Sequence, residues 1–208
     1  MDADIEFDRQ VRNLVTLGYA ELAGVTADEL VGLCEPLRQA ARSGAASGAD
    51  DVALPFVLVV KAELVPTVAA VERWSIRGRQ GWTDMADELG DYRPIEQVDV
   101  PADPVYLLLD VRTGRDSLGV PPSAAFDLIA QQGRTPLTID EGVAVMTQAP
   151  DVLDRLHAFQ ALASRAPNKQ IPSFWFSKGA PRLGWCWWGN PHTWMGSASA
   201  AARMSQGT

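Results

Sequence analysis

Apolar residues recur at helical spacing near the start of the chain, where Val11, Leu14, Val15 and Leu17 precede a Gly18-Tyr19 break and predict an amphipathic helix over residues 6–17. A second helix opens on Thr26 and Glu29, three apart, a spacing that lets hydroxyl and carboxylate each accept a free backbone N–H of the first turn. It runs through Leu30, Leu33 and Leu37 to Arg42, and Pro36 is expected to kink it. The stretch SGAASGADD that follows is small, polar and aperiodic, so residues 43–53 read as a flexible loop. The helical segment before it is too short to hold a core of its own.

Two continuous apolar runs, PFVLVV at 55–60 and VYLLLDV at 105–111, fit strands buried on both faces. Between them residues 62–74 are predicted helical, followed by an RGRQG loop at 77–81. Pro121 and Pro122 open a helix to residue 132, Thr138 and Glu141 form a second capping box, and a further helix is expected over 151–164 with Val152, Leu156 and Phe159 on one face. The tail reads as an antiparallel meander: Ile171 to Ser177, a KGAP turn, Arg182 to Trp188, a two-residue Gly189-Asn190 turn, and Pro191 to Gly196. The expected architecture is α+β, one domain over residues 1–208, with helices packed on a mixed or antiparallel sheet of about five strands.

Composition narrows the class. At 208 residues, 47% hydrophobic and 21% charged, the chain can bury a full core without disulfides or metals. No apolar run approaches the roughly 18 residues of a membrane span, which points to a cytoplasmic protein without a membrane partner. Cys34 and Cys186 are too few for a disulfide framework and lack CxxC spacing, so both are expected to be reduced and buried. A sequence pI near 4.7 argues against nucleic acid as a partner, because the net field repels phosphates. The charge is uneven: residues 1–154 carry 12 basic against 26 acidic side chains, whereas the last 54 residues carry six basic and none acidic.

That tail also holds five of the seven tryptophans, Trp175, Trp185, Trp187, Trp188 and Trp194. Each indole buries about 150–250 Å², so five exceed the few hundred Å² of contiguous apolar surface a soluble monomer usually shows. They are covered by the protein's own helices, by a second subunit, or by a ligand. On the ligand reading, Trp185, Trp187, His192 and Trp194 form an aromatic wall with Arg182 and Lys178 at its rim, suited to a planar, sugar-like or cationic group with a carboxylate or phosphate elsewhere on the same ligand.

Other chemistry is sparse. Cys186, His192 and Asn190 suggest a nucleophilic pair with an orienting amide, but a two-residue turn would set Cys186 and His192 on opposite faces. With only His157 and His192, and no carboxylate after Asp154, no metal site is expected. Asp110 ends a strand in LLLDVRTGRD without a second acid, so a turn-bonding role is the simpler one. No GxGxxG or GxxxxGK[ST] occurs, and no cofactor is expected. Arg73, Arg77 and Arg79, flanked by Trp74 and Trp82, could bind an anion or simply form a solvated face.

The segment PRLGWCWWGNPHTWMGSAS resembles an uncharacterised family of actinobacterial proteins, a domain of unknown function of about this length. The resemblance extends to RTPLTIDEGVAVM, to YRPIEQVDVP with LLLDVRTG, and to FDRQVRNLVTLGYAEL. It implies one domain and carries no catalytic role to any residue. Two classes follow: a non-catalytic binding or interaction protein whose C-terminal hairpin meets a homodimer partner, another protein or a small ligand, and a small enzyme with a cleft built from Asp110, Arg182, Asn190 and His192.

Overall fold

The first helix begins a turn earlier than its apolar spacing predicts, because Asp2 caps it: the carboxylate accepts from Asp4 N at 2.9 Å and Ile5 N at 3.3 Å. The computed structural model describes residues 2–45, 54–153 and 157–206. Helix α1 (Ala3–Thr16) buries Phe7, Gln10, Val11 and Leu14. A short α2 (Tyr19–Ala23), unforeseen in the pattern, sits between two left-handed glycines, Gly18 and Gly24. The Thr26/Glu29 capping box opens α3 (Ala27–Cys34), and Pro36 turns the expected kink into a 3-10 turn, Glu35–Leu37, before α4 (Arg38–Ala45). Residues 43–45 are thus helical, and the rest of the predicted 43–53 loop lies outside the described residues.

Strand β1 (Leu54–Val60) is nearly all buried, as its continuous apolar run requires. Helix α5 is cut to Thr67–Val71 by Pro66. Beyond it, β2 (Ser75–Ile76) and β3 (Arg79–Gln80) make a hairpin, followed by β4 (Trp82–Thr83) and β5 (Arg93–Pro94). Strand β6 (Val105–Val111) pairs antiparallel with β1, setting Phe56 opposite Leu109 and Val60 opposite Val105. Next come α6 (Pro122–Gln131), β7 (Thr135–Pro136) and α7 (Ile139–Gln148), the last opened by the Thr138/Glu141 capping box.

Among the described residues no α-helix forms over the expected 151–164, and residues 154–156, Leu156 included, lie outside the described residues. Pro150–Val152 is a 3-10 turn, and the chain then extends as β8 (Ala158–Gln160) and β9 (Ser164–Arg165). Residues 158–164 are buried without interruption, so a helix there would need apolar cover all round, whereas a strand between two others meets both needs.

Strands β10 (Gln170–Ser177) and β11 (Ala180–Trp187) form the predicted antiparallel pair. Their turn is Lys178-Gly179, with φ of 54° and 78°, and the β2–β3 turn is Arg77-Gly78, with φ of 53° and 73°. Both are two-residue turns with a positive φ at each position, which the twist of a hairpin favours and glycine eases at the second. The Gly189-Asn190 hairpin does not form, and the meander ends at β11. Pro191 cannot donate a ladder hydrogen bond and disfavours a turn at Asn190, so the chain crosses the sheet instead. Strand β12 (Met195–Ser197) pairs parallel with β8, β13 (Ser199–Ala200) with β7, and β14 (Ala202–Met204) with the far edge of β6.

The result is an α+β fold with a mixed five-stranded sheet, β12-β8-β10-β11-β4, and a three-stranded sheet, β1-β6-β14. Helix α7 is buried except at Asp140, and Gly142 lies so close to Phe174 of β10 that a Cβ would come within 2.4 Å of its ring. At 0% exposure, Glu141 accepts from Arg203 Nε at 2.5 Å and Nη2 at 2.7 Å, from Tyr106 Oη at 2.8 Å and from Thr138 N at 2.7 Å. This ties the last strand to the central helix.

Candidate functional site

Strand parity divides the tryptophan-rich pair β10–β11. Along β11, Leu183, Trp185 and Trp187 share one face, and the Trp185 and Trp187 rings meet edge-on at 5.0 Å. Arg182, Gly184 and Cys186 share the other. The guanidinium of Arg182 lies between Trp82 and Trp175, 4.6 and 4.7 Å from their ring centres, and its Nη2 donates to both Asp84 oxygens at 2.7 Å. Lys178 Nζ stands 5.0 Å over Trp82. These cations therefore serve the Trp82–Trp175 face rather than rimming Trp185 and Trp187.

The segment after β11 is a loop pinned by its backbone: Trp188 N donates to Lys169 O, Ser123 N to Trp188 O, and Gly119 N to His192 O. The register that would set Trp187 opposite His192 is replaced by this loop. His192 packs on Trp194 at 5.3 Å, while Trp188 meets Phe126 and carries Arg165 over its ring at 3.6 Å. Trp187 and Trp194 remain 43% and 38% exposed.

The other residues singled out in the sequence also find separate settings. Cys186 Sγ donates to Met195 Sδ at 3.7 Å, and burial pushes its thiol up, which withholds the thiolate a Cys/His pair needs. Burial pushes Cys34 up to about 12. Asp110, with φ of 46°, faces Arg134 Nη1 at 2.5 Å and lies 3.7 Å from Arg112 Nε, so it acts as a counter-ion at a strained strand end. Asp110, Arg182, Asn190 and His192 make no hydrogen bond or ion pair with one another. Arg73 lies against Gly18, whereas Arg77 and Arg79 belong to the β2–β3 hairpin tip. Among the described residues no cluster of His, Cys, Asp and Glu is placed to hold a metal, and no helix is long and apolar enough to cross a membrane.

A cleft of about 590 Å³ opens elsewhere, where the N-terminal end of α7 meets the chain leaving β1 and the loops on either side of β5. Apolar walls come from Val68, Leu89, Tyr92, Val100 and Ile139. Tyr92 is anchored by donating to Gln170 Oε1 at 3.1 Å, and Ser164 Oγ is committed as acceptor to Ile139 N at 2.9 Å. The charged lining is Lys61, Glu63, Arg93 and Asp140. Lys61 Nζ is held by the carbonyls of Pro101 and Ala102 at 3.2 and 3.3 Å, with Glu63 at 3.7 Å.

Asp140 Oδ2 accepts from Ala62 N at 3.3 Å. Burial pushes its carboxyl above the ordinary value of 3.8; Glu141 and Glu63 add to this, while the Ala62 N–H and Lys61 oppose it. Since the folded state thus binds the proton more tightly than the unfolded chain, ionised Asp140 costs stability at neutral pH. That cost disappears as pH falls through the folded value towards the unfolded one. Asp140→Asn should therefore melt above the parent protein at pH 7, with the gap closing towards pH 4 in thermal melts across a pH series. A variant less stable than the parent at every pH would make the carboxylate a structural necessity.

Nothing in the sequence singles out Asp140. It looks like an ordinary acid in a first helical turn, and its setting depends on Ala62, 78 residues away. A family model described as a family of unknown function (DUF5701) matches residues 13–206. No curated protein and no solved structure matches the chain significantly.

Proposed function

The chain belongs to the family of unknown function DUF5701, and from the geometry of its own cleft we propose that it is a non-catalytic small-molecule-binding protein. The observation that carries this reading is the cleft itself: about 590 Å³, apolar walls, and a few fixed polar groups including Asp140. Ligand sites typically occupy about 300–1,000 Å³ and are lined in this way. The basic hairpin has fewer groups to offer, because Arg182 is already sandwiched between two indoles and bound to Asp84. A catalytic reading has less support among the described residues, since Ser164 Oγ accepts from Ile139 N with no base bonded to it and Asp110 is paired with Arg134.

The test is a fragment screen followed by amide shifts of the labelled protein. Shifts should gather at Val68, Leu89, Ile139 and Asp140, and vanish in Ala86→Trp, which fills the cleft from an exposed lining position. Shifts centred on Trp187, His192 and Trp194 would move the site to the tail. A second reading, contact with another subunit or protein through that loop, is favoured by the exposure of Trp187 and Trp194. It predicts a concentration-dependent dimer that Trp187→Ser abolishes, measured by light scattering.

A further inference from the structure

Asp140 and Glu141 of α7 and Asp110 at the end of β6 are enclosed carboxylates that the fold treats differently. Glu141 is held bidentate by Arg203, and Asp110 is held by Arg134. Asp140 has no cation within salt-bridge distance among the described residues, although it lines the cleft and is largely enclosed. A carboxylate taken from water needs either a partner of opposite charge or a full set of hydrogen bonds. Asp140 has one such bond, the long one from Ala62 N.

The neighbouring charges do not supply the missing cation. Lys61 follows β1 directly and its charge partly favours the ionised Asp140, but its ammonium is turned onto two carbonyls and Glu63 and makes no ion pair with Asp140. Arg93 lines the cleft from β5 and is exposed. On its own helix Asp140 has Glu141, and next to Ala62 on the chain leaving β1 it has Glu63, both negative. The cleft thus holds one desolvated negative charge with apolar surface beside it.

We propose that the cleft takes an organic ammonium ion, with its charged nitrogen on the free side of the Asp140 carboxylate and its hydrocarbon body against Val68, Leu89 and Ile139. This rests on the cleft being the binding site. A cation entering there replaces the water that Asp140 has lost and offsets the repulsion from Glu63 and Glu141. A neutral ligand of the same shape leaves that charge uncompensated, and an anionic one adds to the repulsion. The raised affinity of the Asp140 carboxyl for its proton points the same way, since a proton is the smallest cation the site can recruit.

Benzylammonium, benzyl alcohol and benzoate share one hydrocarbon body and differ in charge, so their binding to the full chain, followed by amide shifts, separates the two claims. Benzylammonium should shift Val68, Ile139 and Asp140 at the lowest concentration. Asp140→Asn, which keeps the shape and can still accept from Ala62 N, should weaken it about tenfold or more while leaving benzyl alcohol unchanged. Benzylammonium binding should also weaken as pH falls and Asp140 takes up its proton. If benzyl alcohol or benzoate binds as well as benzylammonium at these residues, or if Asp140→Asn binds benzylammonium unchanged, the cleft stands as a site and the ammonium inference is overturned. If none of the three shifts these residues while a wider fragment screen does, the ammonium inference alone is overturned; if neither does, both claims fail.

Discussion

Replacing Arg203 by methionine should destabilise the protein by about 3–5 kcal/mol, the range for removing one partner of a buried ion pair. Arg203 and Glu141 expose 7% and 0% of their side chains. The substitution removes two charge-assisted bonds and leaves the Glu141 carboxylate with Tyr106 Oη and Thr138 N alone. It also removes the donors that hold Thr135 Oγ1 at 2.7 Å and Pro136 O at 2.9 Å, so β14 loses its tie to α7 and to β7 together. Urea unfolding should show a lower midpoint. The double variant Arg203→Met with Glu141→Gln should recover part of the loss, because the stranded charge is gone. Equal losses in the single and double variants would mean that packing of the arginine stem, rather than the pair, holds the strand.

Gly196→Ala is expected to be nearly as damaging, about 3 kcal/mol or more, at the upper end for inserting a methyl into a filled interior. A Cβ at Gly196 would stand 1.9 Å from Gly114 O and 2.5 Å from Gly114 C, backbone atoms that no rotamer change can move aside. Gly114, with φ of 79°, is equally tight against Ser197, whose N–H is fixed by Ser117 Oγ at 2.8 Å. Two main chains cross here with no side chain between them, and this crossing seats β12 beside β8. Gly189→Ala, with nothing within 4 Å of its Cβ, is the control and should leave the urea midpoint unchanged. A loss below about 1 kcal/mol at Gly196 would show that β12 shifts easily.

Both positions lie in a region where the order of residues alone misleads. Gly189-Asn190 carries a hairpin signal that predicts a third meander strand, yet of the two tail turns only the expected one at Lys178-Gly179 closes a hairpin, and Arg77-Gly78 closes another that the pattern does not announce. Those turns show the same X-Gly pattern, and Pro191 is the residue that argues against the third. Val152, Leu156 and Phe159 fall on one helical face and predict a helix over 151–164, but in a segment as apolar as AFQALA periodicity cannot separate a buried strand from a buried helix. Its pairing with β10 and β12 decides the matter. Arg182 stands close in sequence to Trp185 and Trp187, yet strand parity places it on the opposite face.

What the sequence determined by itself is local: the Thr26/Glu29 and Thr138/Glu141 caps, the Pro36 break, the buried strands at 55–60 and 105–111, and an α+β domain with a five-stranded sheet. Each depends on contacts within a few residues or on a hydrophobic period, and such signals are written into neighbouring positions. The cleft, the Arg203–Glu141 pair, the Gly114–Gly196 crossing and the want of a counter-charge at Asp140 were decided only by the tertiary structure. They join residues 62 to 82 positions apart, and whether a carboxylate is paired or stranded depends on which strands the sheets bring beside it.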